Sequence, residues 1–192
     1  MPLTRLKSVS RKALRDLPAE QERIGGNVNE SGRDKAKDNS LYILDAETLK
    51  EVYVISKHSG SVNCAAYSPD GKRIVSASDD QTARIWSTET KEELFSLKLY
   101  GAITSVTFSP DGKHVLATDK IKNVGIWDAT TGEMSHILNG HFYEVTSCAY
   151  SPDGRHATTG SLDFTIRFWD TQTGKPNFDR TFKFCECRKI RP

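Results

Sequence analysis

Apolar and polar positions follow a period of two, not a helical period, through three runs of the chain: Val62–Tyr67, Ile103–Phe108 and Val145–Tyr150. Each run therefore predicts a β-strand with two distinct faces; Asn63, Ala65 and Tyr67 share one face of the first, and Thr146, Cys148 and Tyr150 the same face of the last. Each is followed by Ser-Pro-Asp-Gly, at residues 68–71, 109–112 and 151–154. Proline presets φ at the first central position of a turn, aspartate supports it with its side chain, and glycine accepts positive φ, so each tetrapeptide predicts a hairpin. Second strands are expected at Arg73–Ser78, His114–Thr118 and His156–Gly160. Third strands end on Trp86, Trp127 and Trp169, after Arg84-Ile85, Gly125-Ile126 and Arg167-Phe168. Polar turns (Ser87–Lys91, Asp128–Gly132, Asp170–Gly174) lead to fourth strands at Leu94–Leu97, Met134–Leu138 and Phe178–Phe182. Four short strands per unit leave little room for a helix.

The units are copies. The serine of the turn recurs at intervals of 41 and 42 residues, and a tryptophan always stands 18 residues after it. A fixed period with constant internal spacing marks a repeat architecture. On these residues, most completely in GHFYEVTSCAYSPDGRHATTGSLDFTIRFWD from Gly140 to Asp170, the chain resembles the WD-repeat family, whose units are four-stranded blades of a β-propeller. The resemblance implies an all-β fold: a partial, open WD-repeat propeller of about three and a half four-stranded blades, with a short polar or helical N-terminal extension.

In this reading residues 1–38 are a basic extension and linker, 39–57 half a blade, 58–98, 99–139 and 140–183 full repeats, and 184–192 a basic tail. The half blade rests on LYILD at Leu41–Asp45, where Leu44 lies 42 residues before Trp86 and Asp38 six before Leu44, as Asp80 lies before Trp86. Glu51–Ile55 is its outer strand, and the residues ahead of Asp38 do not read as inner strands; Gly25–Asp38 reads as linker. Such a set does not close a ring of four to eight blades. The chain thus reads as part of a propeller, a shortened form, or a piece completed by self-association or by another chain.

Within a repeat the resemblance implies a buried four-residue hydrogen-bond chain: His58, Ser76, Asp80 and Trp86 in the first repeat, His141, Thr159, Asp163 and Trp169 in the third. The chemistry is self-consistent. An indole N–H only donates, a hydroxyl accepts it and donates to imidazole, and the other imidazole N–H goes to a carboxylate. A His-Ser-Asp set also suits a hydrolase, but one that occurs twice at equal spacing and ends on an indole reads as structural. The second repeat departs, with Leu99, Ala117 and Ile121 at the histidine, hydroxyl and aspartate positions. Asp119 stands two positions early, so this blade is expected to rely on apolar packing, with Lys120 and Lys122 in a mobile loop.

The resemblance also implies protein binding through the loops that join fourth to first strands and second to third strands, which form one face of a propeller. By position that face carries Ser61, Asn63 and Asp79; Ala102, Thr104 and Lys120; and Glu144, Thr146 and Leu162. Phe142 and Tyr143 beside Glu144 offer aromatic anchors, unless Phe142 packs under its loop. Some family members act as ubiquitin-ligase adaptors through an arginine three residues after the tryptophan; Glu89, Thr130 and Gln172 stand there instead.

Charge sharpens the picture. Residues 41–182 carry fourteen basic and eighteen acidic residues, which argues against a nucleic-acid partner, whereas residues 1–40 carry nine and six. Leu3–Leu17 has a roughly helical apolar spacing among basic residues. A short solvated helix is the favoured reading, with mitochondrial or membrane-surface targeting the alternative. No apolar run approaches a membrane span. Four cysteines, including Cys185 and Cys187, suggest neither a disulfide framework nor a zinc site, and point to an intracellular, cytoplasmic or nuclear location. No motif for a cofactor, a metal or catalysis occurs. The expected function is a non-enzymatic scaffold or adaptor module of a multiprotein complex that binds protein partners; the alternative is a shortened or fragmentary form that acts by pairing or competing with a full-length propeller.

Overall fold

The computed structural model describes residues 23–26, 39–44, 51–177 and 182–183. Among these the protein is all β, in four antiparallel sheets, none of them closed. No helix there is long and apolar enough to cross a membrane. The expected helix at Leu3–Leu17 and the tail with Cys185 and Cys187 lie outside the described residues.

The second sheet is formed in chain order by β4 (Val62–Tyr67), β5 (Arg73–Ser78), β6 (Thr82–Ser87) and β7 (Glu93–Lys98). The third comprises β8 (Ile103–Phe108), β9 (His114–Asp119), β10 (Val124–Asp128) and β11 (Met134–Ile137). The fourth comprises β12 (Val145–Tyr150), β13 (His156–Ser161), β14 (Thr165–Asp170) and β15 (Phe182–Lys183). β15 pairs with Ile166 and Thr165, and Pro176 bridges Trp169; residues 178–181 of the expected outer strand lie outside the described set. The hairpins form because Gly71, Gly112 and Gly154 sit at φ near +70° and donate back to Ser68, Ser109 and Ser151 at 2.9 Å.

The first sheet differs from the half blade expected. β2 (Leu41–Leu44) pairs with β3 (Glu51–Ile55) on one side, and on the other with β1 (Arg23–Gly26). Gly25 and Gly26 are therefore strand residues, and the connecting segment starts after them. Two adjacent glycines conceal a strand because neither contributes to an alternating pattern.

The sheets stack through their faces. Val75, Ala77, Ala83 and Ile85 of the second pack against Val106, Phe108, Val115 and Trp127 of the third. Leu116, Val124 and Ile126 of the third pack against Val145, Cys148 and Trp169 of the fourth. Leu41 and Ile43 of the first pack on Ile74 and Trp86 of the second. Burying such apolar faces is what makes neighbouring repeats stabilise one another.

Two polar or aromatic devices repeat along the stack. Each innermost strand carries a bulge, at Asn63, Thr104 and Thr146, where the register shifts. A bulge re-aims its side chain: Asn63 donates to the Ile103 carbonyl at 2.9 Å, and Thr104 to the Val145 carbonyl, one blade on. At the rim, an outer-strand ring meets the next blade's third-to-fourth turn. Phe95 lies against Gly132, His136 against Gly174, and Tyr53 under the Lys91 ammonium at 5.7 Å.

Candidate functional site

Two of the blades are pinned by the same polar chain. Trp86 Nε1 donates to Ser76 Oγ at 2.9 Å, Ser76 Oγ lies 2.7 Å from His58 Nε2, and His58 Nδ1 lies 2.8 Å from Asp80 Oδ2. Trp169, Thr159, His141 and Asp163 repeat this at 2.8 Å for all three contacts. Each carboxylate is also held by its own turn and by the loop ahead of the first strand: Asp80 accepts from Thr82 N, Thr82 Oγ1 and Ser59 N, and Asp163 from Thr165 N, Thr165 Oγ1 and Phe142 N. Burial opposes the charge on Asp80, but the hydrogen bonds from Thr82 and His58 outweigh it and bring the carboxyl down to about 2. Burial likewise lowers the pKa of His58 and His141 against the pull of their aspartates, so both imidazoles are neutral links.

These sets have the hydrogen-bond order of a hydrolase triad without its access. Ser76 and Thr159 are fully buried, and each hydroxyl already accepts an indole N–H. Neither set presents a nucleophile to a substrate.

The third blade is not the purely apolar unit expected from Leu99, Ala117 and Ile121. Asp119 is fully buried and accepts from Gly101 N at 3.1 Å, Ile121 N at 3.0 Å, Asn123 N at 2.7 Å and Asn123 Nδ2 at 2.8 Å. It thus ties the same two loops that Asp80 and Asp163 tie, from two positions earlier. In the other blades that earlier position is Ser78 or Ser161, which donates to the loop carbonyl of Gly60 or Tyr143. Replacing a donor by an acceptor shifts the bond from the loop's carbonyl to its N–H. Asn123, absent from the other repeats at this place, was the available signal. Trp127, with Ala117 in place of a hydroxyl, leans over Gly125, where a Cβ would come within 2.3 Å of the ring.

Of the positions assigned to the loop face, several serve the stack. Asn63 also donates to Asp79 Oδ1 at 2.9 Å, and Lys120 Nζ meets the same oxygen at 2.9 Å, joining the second and third blades. Thr104 reaches the fourth blade, as above, while Thr146 turns back to the Gly160 carbonyl of its own blade at 3.2 Å. Ser61, Ala102 and Glu144 lend their carbonyls to Asp79, Lys120 and Leu162.

Phe142, Tyr143 and Leu162 instead stand out from the face, at 75%, 66% and 55% exposure. Phe142 does not pack under its loop. Tyr100, Ile121 and Phe164 join them, and sequence reasoning missed all three. Ile121 stands at the aspartate position of its repeat, which reads as packing, and Phe164 is hidden because it occupies a left-handed turn position, φ 62°, that Gln81 also fills. Of the eleven exposed large apolar residues among the described residues, these six lie on the two loop sets of one face and the other five on outermost strands, which singles out the face.

A family model described as "WD domain, G-beta repeat" matches residues 49–87, 91–128 and 132–170. Each match takes in the outer strand of one sheet and ends on the third strand of the next, so every sequence unit spans a blade junction. Similar relatives include "WD repeat-containing protein WDS homolog" of Arabidopsis thaliana, 44% identical over 52 residues, 27% of this chain and 10% of that protein. "WD repeat-containing protein 36" of Homo sapiens is 45% identical over 49 residues, 26% of this chain and 6% of that protein. "Serine-threonine kinase receptor-associated protein" of Gallus gallus is 38% identical over 52 residues, 27% of this chain and 15% of that protein. The chain therefore spans only a small part of each relative.

Proposed function

Because the chain belongs to the WD40 family of G-beta repeats, we propose that it is a non-enzymatic protein-interaction module that docks partners on its loop face. The observation that carries this reading is the gathering of Tyr100, Ile121, Phe142, Tyr143, Leu162 and Phe164 on the loops of that one face. Aromatic side chains that are exposed on rigid loops desolvate readily and dominate binding energetics. The rigid support is supplied by the buried carboxylates of Asp80, Asp119 and Asp163, which clamp the loops from beneath. An adaptor within a larger protein assembly is the function this arrangement suits. The test is quantitative affinity capture with the intact chain and a Phe142→Ala/Leu162→Asp variant. Partners of the face are lost with the variant while circular dichroism remains that of a β protein; partners retained in full remove the reading.

A second reading, pairing with another propeller stack, has its own observation. Ile166 and Phe168 of the fourth sheet are only half-buried, whereas Val124 and Ile126, their counterparts in the third, are covered by the next blade. Light scattering on a gel-filtration column decides it, since a monomer near 21 kDa at all concentrations contradicts pairing with itself.

A further inference from the structure

Arg84 and Arg167 occupy the same place in the second and fourth blades, two residues before the tryptophan. Arg84 is satisfied within its blade: Nη1 meets Glu93 Oε2 at 2.8 Å, Nε meets Thr82 Oγ1 at 3.2 Å, and Nη2 lies 3.8 Å from Asp80 Oδ2. Glu93 stands opposite Trp86 on the outer strand; opposite Trp169 stands Pro176. At this place the fourth blade has kept the arginine and carries proline where the second carries the carboxylate. Arg167 Nε is buried with no hydrogen-bond partner, and no ion pair reaches the guanidinium among the described residues. Among the described residues Asp163, on the turn just before Arg167, is engaged elsewhere: it holds His141, Thr165 and the Phe142 N–H.

The guanidinium lies beside the exposed aromatic patch. Arg167 Cζ stands 5.9 Å from the centroid of the Phe142 ring. The loops carrying Phe142, Tyr143, Leu162 and Phe164 are stitched into one surface by Ser161 Oγ to the Tyr143 carbonyl at 3.1 Å and Leu162 N to the Glu144 carbonyl at 2.9 Å. A guanidinium matches a carboxylate with parallel N–H bonds and remains charged at all relevant pH. The Arg84–Glu93 pair of the same chain shows which group the place takes.

We infer that the fourth blade is a docking site for a peptide segment with an acidic residue beside apolar ones, its carboxylate on Arg167 and its apolar side chains on Phe142, Tyr143 and Leu162. The inference rests on the loop-face reading and narrows it to one blade and one partner chemistry. A short-peptide library displayed on phage and selected on the intact chain tests it. Selected sequences should carry Asp or Glu next to Leu, Phe or similar residues. For the best peptide, resynthesised, both Arg167→Gln and an acid-to-amide change in the peptide should weaken binding about tenfold or more, without adding when combined. Pro176→Glu, which rebuilds the internal pair, should weaken binding similarly while leaving the thermal midpoint equal or higher, so a fault in folding is not mistaken for a lost site. Peptides without acidic residues, or losses that add, overturn the inference; so does a selection that returns no binder. Binders that ignore Arg167 yet need Phe142 and Leu162 overturn it and leave the loop face standing. Binders indifferent to all of these residues count against the face as well.

Discussion

The third blade and its two neighbours reach the same loop geometry by different polar chemistry. In the second and fourth, a carboxylate on the second-to-third-strand turn reaches inward through histidine and a hydroxyl to the tryptophan. In the third, the chain is cut at its middle, where Leu99 and Ala117 stand, but the loop clamp survives because Asp119 substitutes from the strand itself. What the repeat demands is satisfaction of buried loop N–H groups, which cost about 1–3 kcal/mol each when unpaired. The histidine and hydroxyl are dispensable where both are replaced together by apolar groups. Replacing both at once removes the imidazole together with its hydroxyl partner and leaves only the Trp127 indole without the acceptor that Trp86 and Trp169 have, whereas losing one leaves the other buried and unpaired.

The largest expected effects probe the shared clamp. Asp163→Ala and Asp119→Ala should each cost about 3 kcal/mol, since each strands several buried donors. Chemical denaturation followed by tryptophan fluorescence measures both; a loss below about 0.5 kcal/mol for Asp119→Ala breaks the equivalence. Next comes an asymmetry at the hydroxyl position. Thr159→Val should cost about 2 kcal/mol by orphaning both the Trp169 indole and His141, while the reverse change Ala117→Ser should gain nothing and cost about 1 kcal/mol. Equal and opposite effects would mean that the hydroxyl acts alone and not as part of a chain.

Acid separates the blades further. The pKa values of His58 and His141 are depressed in the folded state, so the unfolded chain takes up protons more readily. Their contribution to stability is complete above the unfolded value of ~6.5 and is lost as pH falls below it. Asp80 has the same sign at lower pH: its contribution is present above an unfolded value of ~3.9 and fades as pH falls toward about 2. Amide protection in β5 and β13, taken relative to the intrinsic exchange rate at each pH, should therefore fall on acidification from ~7 to ~5 more than in β9, whose network holds no histidine. A uniform fall across the three strands would deny the tetrads a separate role.

The smallest effects concern turns. Phe164, at φ 62° and largely exposed, should gain up to about 1 kcal/mol on change to glycine, because the left-handed region penalises a side chain. Lys91→Gly relieves the same strain but removes the ammonium from the Tyr53 ring, so the two terms offset and the thermal midpoint should barely move. A clear gain at Lys91 would show the ring contact to be idle.

Where the sequence misled, the reason was local. Asp119 was judged by its offset from Asp80, but a carboxylate at a strand end reaches N–H groups on either side of the turn, and Asn123 brings a further donor to it. Asn63 and Thr104 were assigned to a binding face by position. The bulges also turn them across the blade junction, and a bulge leaves no compositional trace when its residue is an ordinary polar one. β1 escaped notice because Gly25 and Gly26 show no alternation.

The sequence alone determined the repeat, its strands and turns, and the residues of the two tetrads, because these depend on spacing within one unit: period-two faces, Ser-Pro-Asp-Gly hairpins and a tryptophan at a constant distance. Tertiary structure decided everything that passes between units. It set which polar side chains cross a junction and which aromatic residues the junctions leave uncovered, and among the described residues it set Arg167 without a carboxylate where Arg84 has one. The physical reason is that burial and pairing are properties of neighbours in space, and in a stack of near-identical sheets the neighbour lies about forty residues away along the chain.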